Sequence, residues 1–181
     1  VYSENYHGGL VVQDVVGDVT LVRTTADNND WDNDGVGDGL NISASRDRDT
    51  KTPPRDCDER EKTPCASANA SVGGNLLIQG GRFRDTGLVE NHQERGIYVD
   101  GVAGSITFES AGDQAMEVDN NEADGAVVLR GGAVFLTGGE YTASGVNNLV
   151  LANIQGEVQL TQVTSSNAGK YGLLTFDVSS L

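Results

Sequence analysis

Two short phrases alternate along this chain, and their alternation limits the fold more than any other feature. The first is glycine followed by apolar, any, apolar: GLVV at Gly9, GLNI at Gly39, GIYV at Gly96, GAVV at Gly125, NLVL with Asn148 in place of glycine, and GLLT at Gly172. The second is glycine, any, apolar, any, apolar: GDVTL at Gly17, GNLLI at Gly74, GSITF at Gly104, GAVFL at Gly132 and GEVQL at Gly156. A second phrase follows its first phrase after 8, 8, 7 and 8 residues for the units opening at Gly9, Gly96, Gly125 and Asn148. From Gly39 to Gly74 the distance is 35, which reads as the same unit carrying an insertion of about 27 residues, roughly 45–72. The return from a second phrase to the next first phrase takes 22, 22, 21, 16 and 16 residues, so length varies there.

Each phrase alternates with period two and is bounded by turn residues, as a short strand with one buried face is. A glycine every seven or eight residues would cost a helix about 1 kcal/mol each. Two strands and a weaker third then make one coil. Leu10, Val12, Val19, Leu21, Ile97, Val99, Ile106, Phe108, Val134, Leu136, Leu149, Leu151, Val158 and Leu160 point inward and stack on their equivalents one coil away. With aromatics at 6% of the chain, such a ladder of Val, Leu and Ile is the core available to it. Asn5, Asn91 and Asn167 each precede a first-phrase glycine, where an asparagine side chain satisfies backbone groups at a turn.

This pattern resembles the right-handed parallel β-helix of the pectate-lyase-like superfamily and of secreted β-helix-repeat surface proteins. The resemblance covers nearly the whole chain outside the insertion. It implies an all-β fold, one solenoid domain over 1–181 with about five to six coils and a disulfide-bearing loop insertion. A β-sandwich, which also gives many short strands between regular turns, is the competing architecture. The superfamily contains lyases, hydrolases, tail spikes, adhesins and filament subunits, so the fold alone does not name an activity.

The formal charge is −15 with three lysines, which opposes nucleic acid and anionic membranes as partners and favours cations. Eleven of the 27 acidic residues fall between Asp27 and Glu61. Within that stretch, Asp30, Asp32, Asp34 and Asp38, with Gly35 at the bend and the Val36 carbonyl, match the front of an EF-hand-like calcium loop. Asn41 stands where such a loop places its bidentate glutamate, so the site resembles the weaker calcium loops of extracellular proteins. A plain solvated loop would leave these aspartates repelling one another without a counter-ion. The expectation is a calcium ion stapling a long variable loop to the stack.

Cys57 and Cys65 lie in the polar, proline-bearing stretch DCDEREKTPC, where a surface disulfide fits better than two free thiols and implies an extracellular or cell-surface location. Asn41-Ile42-Ser43 and Asn69-Ala70-Ser71 are glycosylation sequons, a triplet that arises often by chance. No apolar run reaches the length of about 18 residues that a membrane-spanning helix needs. The chain opens at Val1 without an initiator Met or a leader, as a mature or excised piece does.

Signatures of nucleophilic, metalloprotease and phosphate-binding sites are missing. His7 and His92 read as turn residues, and Asp113, Glu117 and Asp119 are the best placed carboxylates for glycoside chemistry. Arg82 and Arg84 share one face of an extended segment, either as surface charges or as a carboxylate-binding pair for an acidic sugar. Both termini interrupt the repeat in mid-coil with no amphipathic cap, as expected either of a piece cut from a longer array or of subunits that stack head to tail and cover each other's ends. The leading expectation is therefore a non-enzymatic, calcium-stabilised subunit of a head-to-tail homopolymer or adhesin fibre. A polysaccharide-binding or polysaccharide-cleaving β-helix is the alternative.

Overall fold

A computed structural model describes residues 2–3, 8–27, 38–43, 70–84 and 95–181 of the chain. Every regular element among them is a strand: β1 (Tyr2–Ser3), β2 (Gly8–Val12), β3 (Val19–Asp27), β4 (Asp38–Ile42), β5 (Leu76–Arg84), β6 (Arg95–Glu109), β7 (Met116–Asp119), β8 (Ala126–Thr137), β9 (Glu140–Thr142), β10 (Asn147–Thr161), β11 (Thr164–Ser166) and β12 (Tyr171–Ser180). All pairings between these strands are parallel. The sheet wraps until it nearly closes on itself, a solenoid-like arrangement.

The pairings form three ladders, and the two phrases supply two of them. First phrases stack as Leu10, Leu40, Ile97, Ala126, Leu149 and Leu173, each opposite the next. Second phrases stack as Val19, Leu76, Ile106, Val134 and Val158, with Leu21, Ile78, Phe108, Leu136 and Leu160 beside them. Each inward position expected from the alternation lies in the buried core or packs against it. The third ladder runs from Ala26 through Phe83 and Val118 to Tyr141, all fully buried. The segments that form it carry neither glycine phrase, so the alternation predicts a weaker third strand without its inward residues.

Single left-handed residues turn the chain from one ladder to the next. Gly101, Arg130, Asn153 and Asp177 occupy one corner with φ of 84, 55, 55 and 47°. Asn120, Ala143 and Asn167 occupy another with φ of 54, 53 and 57°. Left-handed backbone costs an ordinary residue about 1–2 kcal/mol, less for Asn and Asp, and one such residue redirects the strand without breaking the inter-rung bonds. At the second corner, for instance, the Asn120 and Ala143 amides donate to the Thr142 and Ser166 carbonyls. Asn167 is thus a turn residue, as expected, whereas Asn5 and Asn91 lie outside the described residues.

The glycine of the second phrase is a packing requirement. A methyl group on Gly104 would lie 2.7 Å from the Gly74 carbonyl oxygen, on Gly132 2.6 Å from that of Gly104, and on Gly156 2.5 Å from that of Gly132. Gly17, in the first rung, meets nothing within 4 Å. Ser71 and Val72, assigned to the insertion from sequence, sit in the stack: Val72 bridges Val15 and Val102, and the Ser71 hydroxyl donates to the Asp100 carbonyl at 2.8 Å.

Candidate functional site

Along the first ladder, rungs are tied by charged pairs. Asp38 opens β4 and lies opposite Arg95, which opens β6. Arg95 Nε donates to Asp38 Oδ1 at 2.7 Å, and Asn41 Nδ2 donates to Asp38 Oδ2 at 2.6 Å. The Arg95 guanidinium also lies 4.4 Å from the centre of the Tyr98 ring. Farther along, Arg130 Nε donates to Asp100 Oδ1 at 2.5 Å. Two arginine–aspartate pairs therefore bracket Tyr98, whose hydroxyl pKa is raised by burial and then by Asp100.

Asp38 and Asn41 are the two members of the expected calcium set that the structure describes. Asp38 is 2% exposed and already neutralised by a guanidinium, so its carboxylate is a poor cation ligand in this arrangement. Asp30, Asp32, Asp34 and Val36 lie outside the described residues, as do Cys57, Cys65, His7 and His92. Among the described residues, no three His, Cys, Asp or Glu side chains are grouped to hold a metal. Asn41 also accepts from the Ser43 hydroxyl at 2.7 Å, which ties up the sequon within the strand.

The third ladder carries a second charged face. Phe83 points inward, so Arg82 and Arg84 point outward together, as their spacing predicts. Each faces a carboxylate: Arg82 Nε donates to Glu117 Oε2 at 2.9 Å, and Arg84 Nε lies 3.9 Å from Asp27 Oδ1. Glu117 and Asp119 follow them in register on β7, while Asp113 sits in an exposed turn 4.0 Å from Arg23. Arg82 is thus held by a carboxylate of the protein itself, while Arg84 stands near Asp27 with no hydrogen bond between Arg84 Nε and Asp27 Oδ1.

Burial raises the carboxyl pKa of both Asp27 and Asp38 above 3.8, against the lowering effect of Arg84 and Arg95 respectively. A raised folded-state pKa means the folded chain holds the proton more tightly than the unfolded chain. Between 3.8 and the raised values, stability therefore increases as pH falls. Relief of the −15 charge acts in the same direction. In the presence of EDTA, the melting temperature is expected to rise as the pH is lowered towards 3.8 through the raised pKa values of Asp27 and Asp38. A steady fall over that range in a thermal scan would contradict the assignment.

The ends of the stack differ from its flanks. Among the described residues, strands β1 and β2 pair only with β3 and β4, and strands β11 and β12 only with β9 and β10, so the outer edges of these strands have no partner among them. Among the described residues, the exposed large apolar side chains gather at these ends. Val11, Val16 and Val22 belong to the first rung, and Tyr171, Leu173, Phe176 and Leu181 to the last, with Val146 at the corner just before it. Alternation alone does not reveal this clustering, because it requires knowing which phrase forms the outermost rung. Comparison with family models, with curated proteins and with solved structures finds no match to the chain.

Proposed function

We propose that the chain is an extracellular or cell-surface structural protein, a right-handed parallel β-helix of about five to six coils that stacks end to end into a filament or adhesin-like fibre. The observation that carries this reading is the concentration, among the described residues, of exposed apolar side chains on the first and last rungs, beside strand edges that pair with none of those residues. Edges of that kind are templates for adding strands. The polysaccharide reading has less support, since Arg82 and Arg84 both face carboxylates of the chain itself.

Calcium belongs to the same reading. The spacing of Asp30, Asp32 and Asp34 ahead of Gly35 supports a loop ion, with Asp38 engaged by Arg95 and contributing least. The spacing of Cys57 and Cys65 supports a disulfide in an oxidising compartment.

Sedimentation velocity with electron microscopy, across protein concentration and with calcium or EDTA, tests the proposal. Polymers that grow with concentration are expected. A calcium ion held at one hundred times its dissociation constant adds about 2.7 kcal/mol, so EDTA should lower the melting temperature by about 5–10 °C. A chain that stays monomeric throughout would overturn the fibre reading, and a melting curve indifferent to EDTA would remove calcium from it.

A further inference from the structure

The geometry points to a specific junction: the last rung of one copy lies under the first rung of the next in the parallel register already used within the chain. This rests on the fibre reading and adds polarity and residue pairing to it. Within one copy, Leu149, Val150, Leu151 and Ala152 stand opposite Leu173, Leu174, Thr175 and Phe176. The same ladder begins at the other end with Leu10, opposite Leu40. Carrying the register across the junction sets Leu173 against Leu10, Leu174 against Val11, Thr175 against Val12 and Phe176 against Gln13 of the next copy. The contact sets Leu173 over Leu10 on one face of the strand and Leu174 over Val11 on the other, apolar against apolar, with the exposed Phe176 beside Gln13.

Three observations favour this arrangement over a symmetric one. All ladders are parallel, and only first-to-last contact prolongs them as parallel ladders, since two like ends related by a twofold axis would meet antiparallel. Gly17 carries the column glycine without the close approach that Gly104, Gly132 and Gly156 show. A rung placed beneath Gly17 supplies that approach. Finally, Ser179 caps the column at the opposite end, its hydroxyl donating to the Gly156 carbonyl at 2.6 Å, and lies where the next copy's Gly17 would follow.

The register also sets Asp177 against Asp14 of the next copy, a like-charge pair one strand spacing apart. Assembly is therefore weakened by a specific residue as well as by the net charge. Asp177 has φ of 47°, a conformation asparagine adopts readily, so Asp177→Asn removes the charge without disturbing the corner.

The test uses one variant for each end. Val11 is 55% exposed and Phe176 53% exposed, so Val11→Asp and Phe176→Asp leave the isolated fold nearly unchanged, which circular dichroism and the melting curve verify. Each variant alone should sediment as a 19.0-kDa monomer under conditions in which the unaltered chain polymerises, and an equimolar mixture should give a dimer and nothing longer. Asp177→Asn should lower the concentration needed for assembly several-fold. Dimers formed by either variant alone would show like-to-like ends and overturn the polarity while leaving the fibre reading intact. A mixture that stays monomeric, or an Asp177→Asn variant that assembles no better, would overturn the register. An unaltered chain that never assembles would instead defeat the fibre reading itself.

Discussion

Gly132→Ala should destabilise the fold by about 3 kcal/mol, whereas Gly17→Ala in the monomer should change stability by less than about 0.5 kcal/mol. The two glycines open the same phrase and are indistinguishable by sequence pattern. Their surroundings differ: a methyl on Gly132 lies 2.6 Å from the Gly104 carbonyl oxygen and 3.1 Å from that of Ala103, and a methyl on Gly17 meets nothing within 4 Å. The atoms struck at Gly132 are backbone, and they belong to a rung whose own pairing holds it in place. Relief requires parting two rungs along the ladder that joins β6 to β8, which weakens several hydrogen bonds at once. For a chain of this size the loss corresponds to a fall in melting temperature of about 6–12 °C. Thermal melts of the two variants, measured side by side below the concentration of assembly, provide the check. Equal effects at both positions would show that the second-phrase glycine serves some purpose other than rung packing.

The second large effect is expected in the centre of the stack. Phe108 is fully buried in the second-phrase ladder, between Ile78 and Leu136 on the neighbouring rungs. Phe108→Ala should cost about 3–5 kcal/mol, part of it lost transfer energy and part the cavity left between rungs that cannot close together. Leu160→Ala, at the last position of the same column, should cost less because its side chain is only partly buried. Denaturant titration of both variants measures the difference. A Phe108→Ala penalty no larger than that of Leu160→Ala would mean the ladder is not the core.

Much of this architecture was legible in the sequence because the alternation is strict and the glycines mark where each strand begins. Ile97, Val99, Ile106, Phe108, Val134, Leu136, Leu149 and Leu151 are buried where the period-two pattern places them. The third ladder was hidden for a physical reason: Phe83, Met116 and Tyr141 pack against an interior already defined by the other two, and the glycines of their column, Gly81 and Gly139, alternate with Thr24 and Met116 instead of recurring on every rung. The corners were hidden as well. Arg23, Arg130, Ala143 and Gln162 adopt φ of 52, 55, 53 and 55°, a conformation that sequence reasoning assigns to glycine or asparagine.

The rung-to-rung charged pairs illustrate a different gap. Along the chain Asp38 fits the last aspartate of a calcium loop, whereas across the stack it is the partner of Arg95. A signal did exist: Asp38 and Arg95 each stand immediately before a first-phrase glycine, Gly39 and Gly96, so aligning the repeats brings opposite charges together. Chain-local motifs and rung-to-rung pairing compete for the same residue here, and only the latter is visible once the strands are stacked. Arg82 shows the reverse case. Its outward direction followed from spacing, but its occupation by Glu117, 35 residues away, did not.

Cross-rung disulfide trapping tests the parallel stack most directly. Thr107, Phe135 and Gln159 stand in one outward column on successive rungs, Thr107 opposite Phe135 and Phe135 opposite Gln159. Adjacent strands lie about 4.8 Å apart, within the Cα separation a disulfide spans, and alternate rungs about twice that. The double variant Thr107→Cys with Phe135→Cys should therefore oxidise nearly completely to the bridged form, identified by peptide mapping. Thr107→Cys with Gln159→Cys should stay unbridged in the monomer. Equal bridging in both pairs, or none between 107 and 135, would contradict the account.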